Sequence, residues 1–249
     1  MNTAKPKQVY FFGTCLVDLF YPEAGLAGMR LIQREGVDVI FPQGQSCCGQ
    51  PAWNSGYRDE ARDVAAAQIA LFTKEIPVVV PSASCAGMMQ EHYPALFRDT
   101  PLETSAIALS KRIVELTAFL VDVLDIRVED LGNPQKVAIH SSCSALREMQ
   151  VGDRIETLVT RLEKLEKVEQ AYKRECCGFG GTFSVKQPEI SGAMVADKTA
   201  SIRESGADIL VSQDCGCLMN IAGAFEKQGE GPRCLHIAEL LWERTHADD

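Results

Sequence analysis

Two short stretches carry the chemistry of this sequence: Cys176-Cys177-Gly178-Phe179-Gly180-Gly181 and its echo Cys47-Cys48-Gly49-Gln50-Pro51. Neighbouring side chains on an extended chain point to opposite faces, so two adjacent buried thiols do not share one core face. In an irregular loop they can converge on one centre, and the following glycine permits backbone conformations that a side chain would forbid. The remaining cysteines are spaced in register with these pairs. Cys143 follows Cys15 by 128 residues, Cys176 follows Cys47 by 129, and Cys177 follows Cys48 by 129. Cys85 has two possible counterparts, Cys215 at 130 residues and Cys217 at 132. Four cysteine positions repeated across two halves indicate an internal duplication. Four thiolates around one centre suit an iron–sulfur cluster or zinc.

The elements that must position these thiols alternate between strand and helix. Apolar runs at 9–14, 37–41 and 77–81 read as buried strands, and they deliver Cys15, the first double-cysteine loop and Cys85. Helical patterns fill 16–34 (broken near Pro22), 59–74, 86–97 (interrupted by Pro94) and 105–124. After the Gly132-Asn133-Pro134 turn the pattern restarts, with strands at 136–140 and 208–211 ending near Cys143 and near Cys215 and Cys217. Helices are expected at 145–163, 188–204, 218–227 and 236–244, and 165–171 reads as either strand or loop. Such alternation implies parallel strands. The expected fold is α/β, with two pseudo-symmetric parallel-sheet lobes from an internal duplication, 1–130 and 131–249. In open parallel sheets ligands gather outside the carboxyl ends of the strands, where the cysteines fall. The helix N-termini that follow favour thiolate over thiol.

Composition narrows the classes. The 249 residues are 46% hydrophobic and 24% charged, with a formal net charge of −9, as in an ordinary globular chain. No basic stripe or arginine-rich segment marks a nucleic-acid partner. Residues 1–8 are polar, and the apolar run after them is too short for a secretory signal core. No segment approaches the roughly 18 apolar residues of a membrane span. The expected location is the cytoplasm. Ten cysteines are too few for a secreted disulfide scaffold of this length, so clustered thiols read first as metal ligands or redox groups. No flavin or nicotinamide fingerprint is present.

The ligand spacing is unlike common metal sites. Structural zinc usually draws on tight C-x2-C pairs, and bacterial ferredoxin sites pack three cysteines into one run. Here Cys15 precedes Cys47-Cys48-Gly49 by 31 intervening residues, and Cys85 follows after 36. Cys143, Cys176-Cys177-Gly178 and Cys215 or Cys217 repeat the arrangement. This pattern resembles the cysteine-rich CCG domain, in two copies covering nearly the whole chain. The segments Cys47-Cys48-Gly49-Gln50-Pro51-Ala52 with Asn54-Ser55-Gly56-Tyr57, residues 176–186 and Cys217-Leu218-Met219-Asn220 are similar to those of the lactate utilisation protein A type. The cysteine-rich subunit of heterodisulfide reductase is another member of the wider family, and there such motifs bind noncubane [4Fe-4S] clusters.

The resemblance implies one or two iron–sulfur clusters, [4Fe-4S] and of noncubane type in the fuller pattern, held by Cys15, Cys47, Cys48 and Cys85 and by Cys143, Cys176, Cys177 and Cys217. It places the ligand at Cys217 because Leu218-Met219-Asn220 follows, and leaves Cys215 as an additional metal-site candidate. Many members end the motif with C-x-x-C, whereas Cys85 is followed by Ala86-Gly87-Met88, which leaves four thiolates in the first half. The implied role is electron transfer, as an oxidoreductase subunit rather than a complete enzyme. Its partners would be other subunits of a complex oxidising L-lactate to pyruvate, with the electron acceptor unspecified.

Blander readings stand beside these. Cys234 lies outside both quartets and reads as a buried inert thiol. His140 is either a ligand or proton relay beside Cys143, or a hydrogen-bonded core histidine. His236 opens the last helix as a structural residue, and His92 reads as a surface residue. Gly180-Gly181 lacks the lysine and hydroxyl that would make a phosphate loop, and reads as a turn around the metal site. Residues 163–167 read as a solvated charged face. Trp53 and Phe179 flank the double-cysteine loops, as shields or as ordinary packing. Rival functions are disulfide reduction at the clusters, a zinc-bound structural or interaction module, and metal-free thiol–disulfide exchange at Cys215-Gly216-Cys217 or a vicinal pair.

Overall fold

The computed structural model describes residues 5–246; residues 1–4, part of the polar N-terminal segment, and 247–249 lie outside the described residues. The chain divides between Asp125 and Ile126 into two compact units. Each is built on its own parallel four-stranded sheet.

In the first unit the strands are β1 (Gln8–Phe11), β2 (Asp38–Ile40), β3 (Val78–Val80) and β4 (Ile113–Glu115), in the order β2-β1-β3-β4. In the second they are β5 (Gln135–His140), β6 (Leu165–Lys167), β7 (Ile209–Ser212) and β8 (Arg233–His236), in the order β6-β5-β7-β8. All pairs are parallel, and the two orders are the same once the strands are renumbered within each unit. The central strands are apolar runs because helices cover both faces of such sheets. Val78, Val79 and Val80 are fully buried, as are Val137 and Ala138.

Aromatic residues fill the first core: the Phe72 ring meets Tyr10 at 5.3 Å and Phe12 at 5.8 Å, both edge-on. In the second core Ala138, Ile202, Leu210, Ile221 and Phe225 close around Cys177 and Cys217. The second unit is also fastened by a buried ion pair. The Arg244 guanidinium bonds both Asp130 carboxylate oxygens, at 2.9 and 3.0 Å, and the Asn133 carbonyl at 2.9 Å.

Three expectations are corrected. The single helix expected at 105–124 is a helix Glu103–Ser110, the strand β4 and further helical turns from Leu116. A three-residue strand that is largely buried reads as apolar at any period, so helical spacing runs through it unbroken. The β-branched Ile113 and Val114 favour the pleated surface beside β3. The helix expected at 145–163 is a π-helical turn, Ser144–Glu148, followed by a helix Gly152–Thr160, separated at Gln150 with φ +53°. A strand not expected from the sequence, β8, precedes the last helix. At the ambiguous 165–171 stretch the chain forms the short strand β6. No described helix is long and apolar enough to cross a membrane.

Candidate metal centre

Each lobe brings four cysteines together by the same three devices. The first is a strand end. Beyond β1, Thr14 caps the helix Cys15–Phe20, its hydroxyl accepting from Val17 N at 3.4 Å, and Cys15 becomes the first helical residue. Beyond β5, the Ser142 hydroxyl accepts from Ala145 N at 3.1 Å and sets Cys143 in the equivalent place. Thr14 itself sits at φ +56°, an unfavourable conformation for a β-branched residue, next to a predicted ligand.

The second device is the vicinal loop. Gly49 and Gly178 have φ +89° and +85°, and their N–H groups lie 3.4 Å from Cys47 Sγ and Cys176 Sγ. The turn folds the first cysteine of each pair back over the loop while the second points into the core. Cys48 and Cys177 are buried; Cys47 and Cys176 are half-buried. The carbonyl of the inner cysteine is held in both lobes, by the Tyr93 hydroxyl on Cys48 at 2.9 Å and by the Asn220 carboxamide on Cys177 at 2.8 Å.

The third device is the helix after the third strand, and it separates Cys215 from Cys217. Ser82 precedes the helix Ala83–Gly87, and its carbonyl accepts from Ala86 N at 2.9 Å. Asp214 precedes the helix Cys215–Gln228, and its carbonyl accepts from Leu218 N at 3.1 Å. Counted from these caps, Cys85 and Cys217 are both the third helical residue. Cys215 is the first and is fully buried.

The thiols form a chain of contacts in the same order in both lobes. Cys15 bonds to Cys47, Cys47 to Cys48 and Cys48 to Cys85. Cys143 bonds to Cys176, Cys176 to Cys177 and Cys177 to Cys217. All ten cysteines are free thiols. Hydrogen bonds from Cys15 and Cys48 pull the Cys47 thiol down to about 3, and those from Cys143 and Cys177 pull Cys176 down to about 2. Their neighbours go the other way. Cys15, Cys48, Cys143 and Cys177 are raised as donors to the shared thiolate, and burial adds to it. Cys217 is also raised: its bond from Cys177 is the strongest single influence and lowers it, but burial together with the nearby Asp214 and Cys176 charges outweighs that bond. One charge is thus settled on the outer cysteine of each pair, and Cys15, Cys48, Cys143, Cys177 and Cys217 keep their protons until something stronger replaces them. Four thiols in contact, at helix starts and beside a backbone N–H, are a donor set that fits a soft metal centre.

The other candidates fall into place around these quartets. Phe179 packs on the core containing Cys177 and Cys217, and its ring fills the space beside Gly216. Trp53 stacks on His92 at 5.1 Å and carries Arg58 over its face at 3.5 Å, so His92 is half-buried rather than a surface residue. His236 is the buried cap of the last helix, bonded to Ala238 N and Glu239. Cys234 is half-buried, and burial raises its thiol to about 11. Gly180 and Gly181 both have positive φ, in a turn leading to the helix Phe183–Lys186. Residues 163–167 are mostly exposed and include β6. His140 is wholly buried, and desolvation, with Lys198 nearby, lowers it to about 3, so the imidazole is neutral. Cys215 and Cys217 are both buried, which removes the access that thiol exchange at that pair needs. Sequence reasoning missed Tyr93 and Asn220. Asn220 left a faint signal, as a polar residue one turn after Cys217 on a largely apolar helix; Tyr93 left none.

Fold and site together define a duplicated parallel α/β protein with a four-thiol site at the carboxyl ends of each sheet. The CCG cysteine-rich domain matches at residues 9–90 and 137–222, one copy per lobe. The chain is 45% identical to lactate utilization protein A of Geobacillus sp. (strain WCH70) over 240 residues, 95% of this chain and 100% of the relative. It is 45% identical to the protein of the same name from Geobacillus kaustophilus (strain HTA426) over 241 residues, 96% of this chain and 100% of the relative. It belongs to the CCG cysteine-rich domain family, alongside these lactate utilization A proteins. Among solved structures, a hypothetical protein from Helicobacter pylori matches with a TM-score of 0.66 at 11% identity, covering 100% of this chain and 51% of that one, a likeness of fold alone.

Proposed function

We propose that this chain is an electron-transfer subunit holding one iron–sulfur cluster in each lobe, and that it serves a cytoplasmic multi-subunit system oxidising L-lactate to pyruvate. The observation that carries the reading is the same ordered chain of three contacts among four thiols in both lobes. The relatives' shared name supplies lactate. Cys15, Cys47, Cys48 and Cys85 would hold the first group, and Cys143, Cys176, Cys177 and Cys217 the second. A bound iron–sulfur cluster supplies one-electron storage and relay. The chain's own residues do the rest. Cys47 and Cys176 begin as thiolates, and Cys15, Cys48, Cys143, Cys177 and Cys217 release protons when metal binds. Tyr93 and Asn220 fix the inner cysteines, while Phe179 excludes water on the core side. Cys15 and Cys47 reach a pocket lined by Asp18, Leu19, Phe41 and Gln43, the open side on which a partner subunit would approach.

Oxidising lactate to pyruvate releases two electrons and two protons, and a relay without a hydride-accepting cofactor fits a subunit downstream of that step. The test is iron and acid-labile sulfide content with an electron paramagnetic resonance spectrum, on protein purified without oxygen. About eight iron per chain supports two four-iron groups, and about four restricts the reading to one lobe. Stoichiometric zinc without sulfide overturns it in favour of a structural module.

A further inference from the structure

His140 ends β5 and is 1% exposed, and neither of its ring nitrogens has a hydrogen-bond partner. A ring nitrogen of His140 and the sulfurs of Cys177 and Cys217 all lie within 4.8 Å of one another. Atoms bound at about 2.0–2.3 Å to one metal stand roughly 3–4.6 Å apart, so the spread of the trio is of the right order. Burying an imidazole with both nitrogens unsatisfied is costly unless a further partner completes the site. Ser212 Oγ, at the end of the adjoining strand β7, and the carboxamide of Gln213 just past it are also buried without partners, so unfilled polar surface gathers at this end of the sheet.

The first lobe provides the comparison. Ile139 pairs with Val211 as Phe11 pairs with Val79, so the residue after each, His140 and Phe12, holds the same place. Phe12 packs edge-on against Phe72 and is fully buried. A hydrophobic ring is therefore sufficient to fill this position, and the second lobe has an imidazole instead.

We propose that His140 is a ligand of the second-lobe metal centre, bound to the metal shared by Cys177 and Cys217. The second lobe then offers four thiolates and one imidazole, and the first four thiolates alone. The inference rests on a metal centre being held in that lobe. It is tested on the full chain, prepared without oxygen and with 15N-histidine, by pulsed paramagnetic resonance and by X-ray absorption at the edge of whichever metal is bound. The expected result is a strongly coupled histidine nitrogen in the unaltered protein. It should persist in Cys48→Ser, which disables the first site, and vanish in His140→Phe, which copies the first lobe, while iron content is retained. If His140→Phe fails to fold, His140→Gln takes its place as the variant in which the coupling must vanish. A metal-loaded second lobe with no histidine nitrogen, or a coupling that survives His140→Phe, overturns the proposal. Zinc with a nitrogen neighbour and no sulfide sinks the iron–sulfur reading and keeps His140 as ligand; a second lobe that takes up no metal overturns both.

Discussion

The Asn220 carboxamide donates a 2.8 Å hydrogen bond to the carbonyl of Cys177, 43 residues earlier in the chain. The bond joins the first turn and a half of one helix to the vicinal loop, and fixes the inner cysteine before any metal arrives. Asn220→Ala leaves that carbonyl without its partner. The expected cost is about 1–3 kcal/mol in the urea unfolding of the metal-free chain. Metal should also leave the second lobe faster under chelator, with the first lobe unchanged. Tyr93→Phe, which removes the 2.9 Å bond to the Cys48 carbonyl, should reverse the pattern.

Gly178 should be intolerant of a side chain for two separable reasons. Its φ is +85°, and an added Cβ would sit 2.8 Å from the Ser191 carbonyl oxygen. Gly206, at φ +68° with nothing within 4 Å, isolates the first reason. Gly206→Ala is expected to cost about 1–2 kcal/mol, the ordinary left-handed penalty. Gly178→Ala should exceed it in the same unfolding assay and lower second-lobe metal content. Equal costs for the two variants would show that the Ser191 contact relaxes freely.

Cys215 and Cys217 should behave differently although one residue separates them. Cys217→Ser is expected to remove about half of the bound iron, as Cys177→Ser should, since a hydroxyl is a poor ligand for a soft metal. Cys215→Ser should leave the iron count unchanged and affect only packing. Iron analysis of the anaerobically purified variants decides it.

The Asp130–Arg244 pair should govern the acid limit of the second lobe. Burial alone would raise the Asp130 carboxyl. The Arg244 hydrogen bonds and the N–H groups of Lys164 and Gly132 overcome that and hold it below the usual carboxylate range. A depressed folded-state value means that the unfolded chain binds the proton more readily. The contribution is therefore complete above the ordinary aspartate value of about 3.9 and is lost as pH falls through the lower, folded value. Arg244→Ala should cost about 3–5 kcal/mol near neutral pH, because a buried carboxylate is left unpaired. Thermal or urea unfolding followed against pH should show the acid-side loss in the unaltered protein and a flattened dependence in the variant.

What the sequence determined by itself is the ligand framework. Cys15, Cys47, Cys48 and Cys85 recur as Cys143, Cys176, Cys177 and a partner near 217, and the alternation of strand and helix places each after a strand. Residue type and sequence offset survive duplication, so both are readable in one dimension, as are the α/β class and the two lobes. The tertiary structure decided what depends on helix phase and strand register. Cys217 meets Cys177 from the third position of its helix, and Cys215, two positions earlier, faces another way because a helix turns roughly 100° per residue. β4 and β8 exist through pairing with β3 and β7, a stabilisation that the residue types of a three- or four-residue run do not reveal. Tyr93 and Asn220 reach their carbonyls across more than 40 residues. His140 meets Cys177 and Cys217 because β5, β7 and the vicinal loop all end at one edge of the sheet, and three-dimensional proximity of that kind has no trace in spacing along the chain.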